Sequence, residues 1–161
     1  MKIIDSTTYF EEDLMMNLRF NVLDKYVDEF IVCEAAFSHS GKEKNINFNK
    51  KNFSKFEKKI NHIIIEKEPN DIIKNKDLNS AEQRLNSIAR IRDQRNYISK
   101  FLTKYDSNDY IIYSDNDEIP NLENFDFEKN NNEIVIFKQK IFYYKFNLIL
   151  PKVDWFGSKA C

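Results

Sequence analysis

Only two glycines, Gly41 and Gly157, occur in 161 residues. A P-loop and a dinucleotide-binding fingerprint both need clustered glycines so that backbone can approach phosphate. Neither can be built here, so any bound nucleotide needs another device to neutralise its phosphates. Cysteine is as sparse. Cys33 lies inside an apolar run and Cys161 is the last residue. Such a pair makes neither a disulfide framework nor a zinc site, and the expectation is a reduced, cytoplasmic protein. No apolar run reaches the roughly 18 residues of a membrane span, and no signal-peptide core opens the chain. The expectation is therefore a chain without a transmembrane segment. No sign of charge dominates: 25 Lys and Arg face 26 Asp and Glu. That removes a global pull toward nucleic acid or anionic lipid. The most basic stretch, Lys42 to Lys59, is interleaved with Glu43 and Glu57 and reads as a solvated face.

What is present is enough for one domain. Hydrophobic residues make up 42% and aromatics 14%, which rejects wholesale disorder. "MKII" reads as a first strand. In "TYFEEDLMMNLRFNVLDKY", Leu14, Leu18 and Val22 recur every four residues, widened by Met15, Phe20 and Leu23. This predicts an amphipathic helix, with Thr8 and Glu11 as its capping box. "DEFIVCEA" is a buried strand ending at Glu34. The loop after it holds His39, Gly41 and Lys42. Residues 49–59 read as a short polar helix carrying Phe53 and Phe56. "INHIIIEKE" is a third strand. Ser80 and Gln83 make a second capping-box pattern, opening a helix to about Tyr105. "YIIYS" is a fourth strand, "EIVIFKQKIFYYKFNLIL" one or two more, and "PKVDWFGSKAC" is irregular. Strands alternating with helices predict an α/β fold with a mostly parallel sheet.

The long helix carries a charge where apolar residues are expected. At about 100° per residue, Ala81, Leu85, Ile88, Ile91, Ile98, Leu102 and Tyr105 form a stripe with Arg95 in its middle. A guanidinium facing a core needs an anion, because it cannot shed its charge. That anion is either a protein carboxylate, a ligand's phosphate, or the acidic loop that follows.

The acidic loop is "YIIYSDNDEIP", Tyr110 to Pro120. Asp115 and Asp117 stand two apart at a strand end. In extended chain both carboxylates face one point, Asn116 points aside and Glu118 turns away. Hard oxygen ligands so placed suit Mg²⁺ or Mn²⁺ and leave positions open for phosphate oxygens. The plainer alternative is an acidic surface turn, and a phosphatase-like phosphotransferase is a third. A calcium EF-hand is excluded, because Ile119 falls on a ligand position and no glycine follows.

With these residues in place, the chain resembles the family 17 glycosyltransferases, which include the β-1,4-mannosyl-glycoprotein 4-β-N-acetylglucosaminyltransferases. The pieces that carry the resemblance occur in order: "EEDLMMNLRFNVLDKYVDEFIVCEA", "FSHSGKEK", "KINHIII", "DQRN", "IIYSDNDEIP", "FYYKFN" and "WFGSKA". It implies a GT-A fold, with a nucleotide-sugar-binding part over 1–120 and the start of an acceptor-side part over 121–161. It implies UDP-N-acetylglucosamine as donor, a glycan hydroxyl as acceptor, inversion, and a divalent metal on Asp115 and Asp117. Glu34 matches an acidic residue placed to meet the nucleoside, and Arg95 and Asn96 match the "QRN" piece on the donor side. Lys42 could approach phosphate, although a solvated lysine is the plainer reading. His39 reads as a loop residue, and no residue is assigned as base. The family continues past "WFGSKA", so the acceptor side is expected to lie beyond Cys161. A remnant that binds donor without turnover is the alternative.

Overall fold

The computed structural model describes residues 1–130, 133–145 and 147–161. The apolar runs form β1 (Ile3–Tyr9), β2 (Glu29–Ala35), β3 (Ile60–Ile65) and β4 (Tyr110–Ser114). Helix α1 (Asp13–Leu23) joins β1 to β2, and α2 (Ser80–Tyr97) lies between β3 and β4. Two short strands, β5 (Val135–Ile136) and β6 (Lys159–Ala160), complete a sheet of order β3-β2-β1-β4-β6-β5. β1 to β4 run parallel, and β6 runs antiparallel to β4 and β5. The expected α/β architecture with a mostly parallel sheet is the one observed. Among the described residues, no helix is long and apolar enough to cross a membrane.

Strand alternation gives the sheet two covered faces. Phe30, Val32 and Ile112 pack with Met16, Phe20 and Leu23 of α1, joined by Phe48, Phe53 and Phe56. Ile4, Ile31, Cys33 and Ile63 pack on the other face with Ile98, beside Tyr97 and Tyr113. The buried thiol of Cys33 is pushed up to about 12, first by burial and then by Asp93 and Glu34. β1 is the strand from which the order diverges: β2 lies on one side and β4 on the other. The carboxyl ends of β1 and β4 therefore flank a topological switch point, where open α/β sheets bind ligands.

The helix faces differ from the periodicity reading. α1 buries Met16, Arg19, Phe20 and Leu23, while Leu14, Leu18 and Val22 are exposed, Leu14 by 83%. A strict four-residue repeat drifts about 40° per step around a helix, and the 16-19-20-23 spacing follows the helical period better. α2 buries Asn86, Ala89, Arg90 and Gln94, while Leu85 and Ile88 are exposed. Its inward polar groups fasten it to the neighbouring chain. Asn86 bonds both the N–H and the carbonyl of Ile73, and Gln94 donates to the Cys33 carbonyl. Arg90 donates to Glu68 and to the His39 carbonyl. So the guanidinium facing inward from α2 is Arg90, not Arg95.

Other boundaries also move. Thr8 lies in β1 opposite Cys33, so it caps nothing, and Glu12 is the N-cap of α1 without a side-chain cap. The second capping box is real but one residue earlier, with Asn79 as N-cap and Glu82 as its partner. α2 ends at Tyr97 and a 3₁₀ stretch runs from Ile98 to Lys104. Residues 49–59 hold two 3₁₀ turns, Lys50–Phe53 and Glu57–Lys59, rather than one helix. The stretch 133–150 gives one short strand, β5, plus isolated bridges of Phe142 with Ile149 and of Gln139 with Trp155, among the described residues; Phe146 lies outside them. The closing stretch read as irregular supplies β6, inserted between β4 and β5.

Candidate active site

The acidic loop follows β4, whose end is fixed by buried polar bonds. Ser6 Oγ donates to the Ile112 carbonyl at 2.8 Å and Thr7 Oγ1 to the Ser114 carbonyl at 2.9 Å. Beyond Ser114 the chain turns at once. The Glu118 N–H donates to the Asp115 carbonyl at 3.0 Å, which closes a β-turn over Asp115 to Glu118. The extended geometry assumed for Asp115 and Asp117 is therefore replaced by a turn.

Glu118 does not turn away. One carboxylate oxygen accepts the Asp115 N–H at 3.1 Å and the other accepts the Trp155 indole N–H at 2.7 Å. Ser158 Oγ donates to the Glu118 carbonyl at 2.7 Å. Gly157 makes room for this: a Cβ there would lie 2.4 Å from the Glu118 carboxyl carbon. The other glycine does a similar service. Gly41 sits at φ +84°, and a Cβ there would meet the Arg90 guanidinium at 2.4 Å.

Two arginines contact the turn. Arg95 on α2 donates through Nη2 to both oxygens of Asp115, at 2.8 and 2.6 Å. Arg19 on α1 is fully buried, paired with Asp5, and donates to the Asp115, Asn116 and Glu118 carbonyls. Among the described residues no cation pairs with Asp117. Its carboxyl is raised above the usual carboxylate range, first by burial, then by Glu118, Asp115 and Glu12, against the opposing bond of its own N–H. The loop after β1 thus adds its own negative field to the turn after β4.

This donor set fits a hard divalent cation. It is made of carboxylate oxygens in a negative field, and Asp115 already holds a cationic group. Among the described residues no three His, Cys, Asp or Glu side chains gather as a metal cage. An ion here would take its other ligands from water and substrate phosphate, as Mg²⁺ commonly does.

The remaining expected site residues lie elsewhere. Glu34 is fully buried and serves the loop after it. It accepts Lys44 Nζ at 2.5 Å and the N–H groups of Asn47 at 2.8 Å and Phe48 at 3.0 Å, with His62 Nε2 3.2 Å away. Burial alone would raise its carboxyl, but His62, the Asn47 amide, Lys44 and the Phe48 amide outweigh it and hold the group at about 2. Its carboxylate is enclosed by protein rather than open to a nucleoside. Lys42 and His39 are exposed on a turn where the Ser38 N–H donates to the Lys42 carbonyl and the Lys42 N–H donates to Ser38 Oγ. Asn96 is exposed, and its carbonyl accepts Ser99 Oγ. The structure pairs Arg95 with Asp115 on the turn that also carries Asp117, and does not bring Glu34 to the same turn.

Sequence reasoning missed Arg19, Asp5, Trp155 and Gly157. The signal for Arg19 was available: it lies three residues after Met16 and four before Leu23, on the face that α1 buries. The model of glycosyltransferase family 17 matches residues 1–160. Neither a curated protein nor a solved structure matches the chain.

Proposed function

The chain belongs to glycosyltransferase family 17, and from that premise we propose that it transfers N-acetylglucosamine from UDP-N-acetylglucosamine to a glycan hydroxyl, with inversion, on a GT-A fold. The observation that carries this reading is the position of the Asp115–Glu118 turn at the carboxyl end of β4, beside the switch point of the sheet. A diphosphate approaching that turn is repelled unless a cation stands between them. Asp115 and Asp117 would hold Mn²⁺ or Mg²⁺. Such an ion supplies Lewis-acid stabilisation of the departing diphosphate.

The chain's own residues then divide the work. Asp117 is the carboxyl group of the turn that has no cationic partner among the described residues. Arg95 neutralises Asp115 and is half exposed, so its guanidinium can share charge with a bound phosphate. Glu118 locks the turn through the Asp115 N–H and ties it to Trp155. An inverting displacement also needs an acceptor hydroxyl in line and a carboxylate to take its proton.

A second reading, donor binding without turnover, is favoured by one observation. The acidic side chains that act on Asp117 are engaged: Glu118 by Trp155, Asp115 by Arg95, and Glu12 by the Phe10 and Glu11 amides. Calorimetric titration of UDP with and without Mn²⁺ tests the main reading. Metal-dependent binding that Asp117→Ala abolishes supports it, and a folded protein without such binding overturns it. Binding with no sugar release from UDP-N-acetylglucosamine favours the second.

A further inference from the structure

We propose that Arg19, held by Asp5, is a positioning residue that fixes the shape of the acidic turn from beneath. This rests on the reading of that turn as a metal and diphosphate site.

Every nitrogen of the Arg19 fork has a partner. Nε and Nη2 take the two oxygens of Asp5 at 2.7 and 2.6 Å, and Nη2 also donates to Ser114 Oγ at 2.7 Å. Nη1 donates to the carbonyls of Asp115 at 3.0 Å, Asn116 at 3.3 Å and Glu118 at 3.2 Å. Arg19 is 0% exposed and Asp5 1%. One rigid guanidinium thus joins α1, β1, the end of β4 and three of the four carbonyls of the turn. A lysine cannot do this, because it offers a point charge rather than a fork.

Stability alone does not account for the pair. A buried ion pair gains little over apolar packing of the same volume, since both charges lose their water. Its charge is also spent internally: Asp5 neutralises Arg19, so Arg19 leaves the negative field of Asp117 in place. What remains distinctive is the set of carbonyls it gathers. With those oxygens fixed, the backbone that carries Asp115 and Asp117 has one conformation before any ligand arrives, and preorganisation of this kind removes an ordering cost from binding.

The test replaces the pair by Asp5→Leu with Arg19→Met, which restores apolar packing but leaves the three carbonyls unheld. Arg19→Lys is made alongside and keeps the charge against Asp5. Thermal melts report folding, calorimetry reports Mn²⁺-dependent UDP binding, and hydrogen exchange reports the Asp115 and Glu118 amides. The expected result is a folded variant whose UDP binding is at least tenfold weaker and whose two amides exchange at least tenfold faster. A folded variant with wild-type binding and exchange overturns the assignment. So does loss of folding in both variants, which would make the pair a folding element. Should the wild-type protein bind no UDP with Mn²⁺, the ligand reading falls, and the exchange rates alone decide the positioning role.

Discussion

Arg95 on α2 reaches both carboxylate oxygens of Asp115 at 2.8 and 2.6 Å, across the face of the sheet that α2 covers. Both side chains are partly exposed, so the pair adds only about 0–1 kcal/mol to stability. Its weight is electrostatic and local. Arg95→Ala frees Asp115 and should leave the melting temperature nearly unchanged. Mn²⁺ alone should then bind several-fold tighter, while UDP in the presence of Mn²⁺ binds weaker. Calorimetry of the metal and of the nucleotide, done separately, checks the opposite signs.

Asp117 sets the pH dependence of the site. Its folded carboxyl is raised by burial and by Glu118, Asp115 and Glu12. A raised carboxyl favours the protonated native state, so its stabilising contribution is present below the unfolded value and is lost as pH rises through the folded one. Asp117→Asn should therefore raise the melting temperature slightly at pH 7 while removing metal binding. In the wild-type protein, Mn²⁺ affinity should fall on acidification at a pH above that of an ordinary carboxylate. A titration of Mn²⁺ affinity between pH 4 and 7 reads this directly.

Glu34 has the opposite sign. Its carboxyl is held at about 2 by His62, the Asn47 and Phe48 amides and Lys44. A lowered carboxyl contributes stability that is full above the unfolded value and is lost as pH falls toward the folded one. Glu34→Gln keeps one acceptor oxygen but removes the negative charge facing Lys44 and turns an NH₂ donor toward groups that a carboxylate oxygen accepted, and should cost about 3–5 kcal/mol at pH 7. The difference from wild type should shrink as pH falls from 5 toward 2. Urea melts across that range measure it.

Gly157→Ala tests the link between the closing segment and the turn. The new Cβ meets the Glu118 carboxyl and pushes it off the Asp115 N–H and the Trp155 indole. The expected cost is about 1–3 kcal/mol. Trp155 is the single tryptophan, so its fluorescence reports the lost carboxylate directly. An unchanged spectrum in a folded variant would show that Glu118 keeps its bonds.

The strands and the position of the acidic segment were legible in the sequence because their signals are local, although its turn geometry was not. Apolar runs bounded by polar residues mark β2, β3 and β4, and Asp115 follows β4 directly. The helix faces were not legible from apolar residues, because polar side chains orient both helices. Arg19 turns α1 toward Asp5, and Asn86, Arg90 and Gln94 turn α2 toward Ile73, Glu68 and Cys33. A two-residue strand such as β6 is too short to show alternation, so its insertion beside β4 had no signal either.

The sequence by itself determined that this is an α/β chain with an acidic segment after a buried strand, and its scarce glycines excluded glycine-rich phosphate loops. Those are properties of neighbouring residues and of composition. Only the tertiary structure decided what surrounds the turn. Asp5 and Arg19 lie far from Asp115 along the chain, as do Trp155 and Gly157, and their partners are chosen by sheet order and helix rotation. The turn carries its carboxylates by sequence, but the fold supplies the two arginines that hold it.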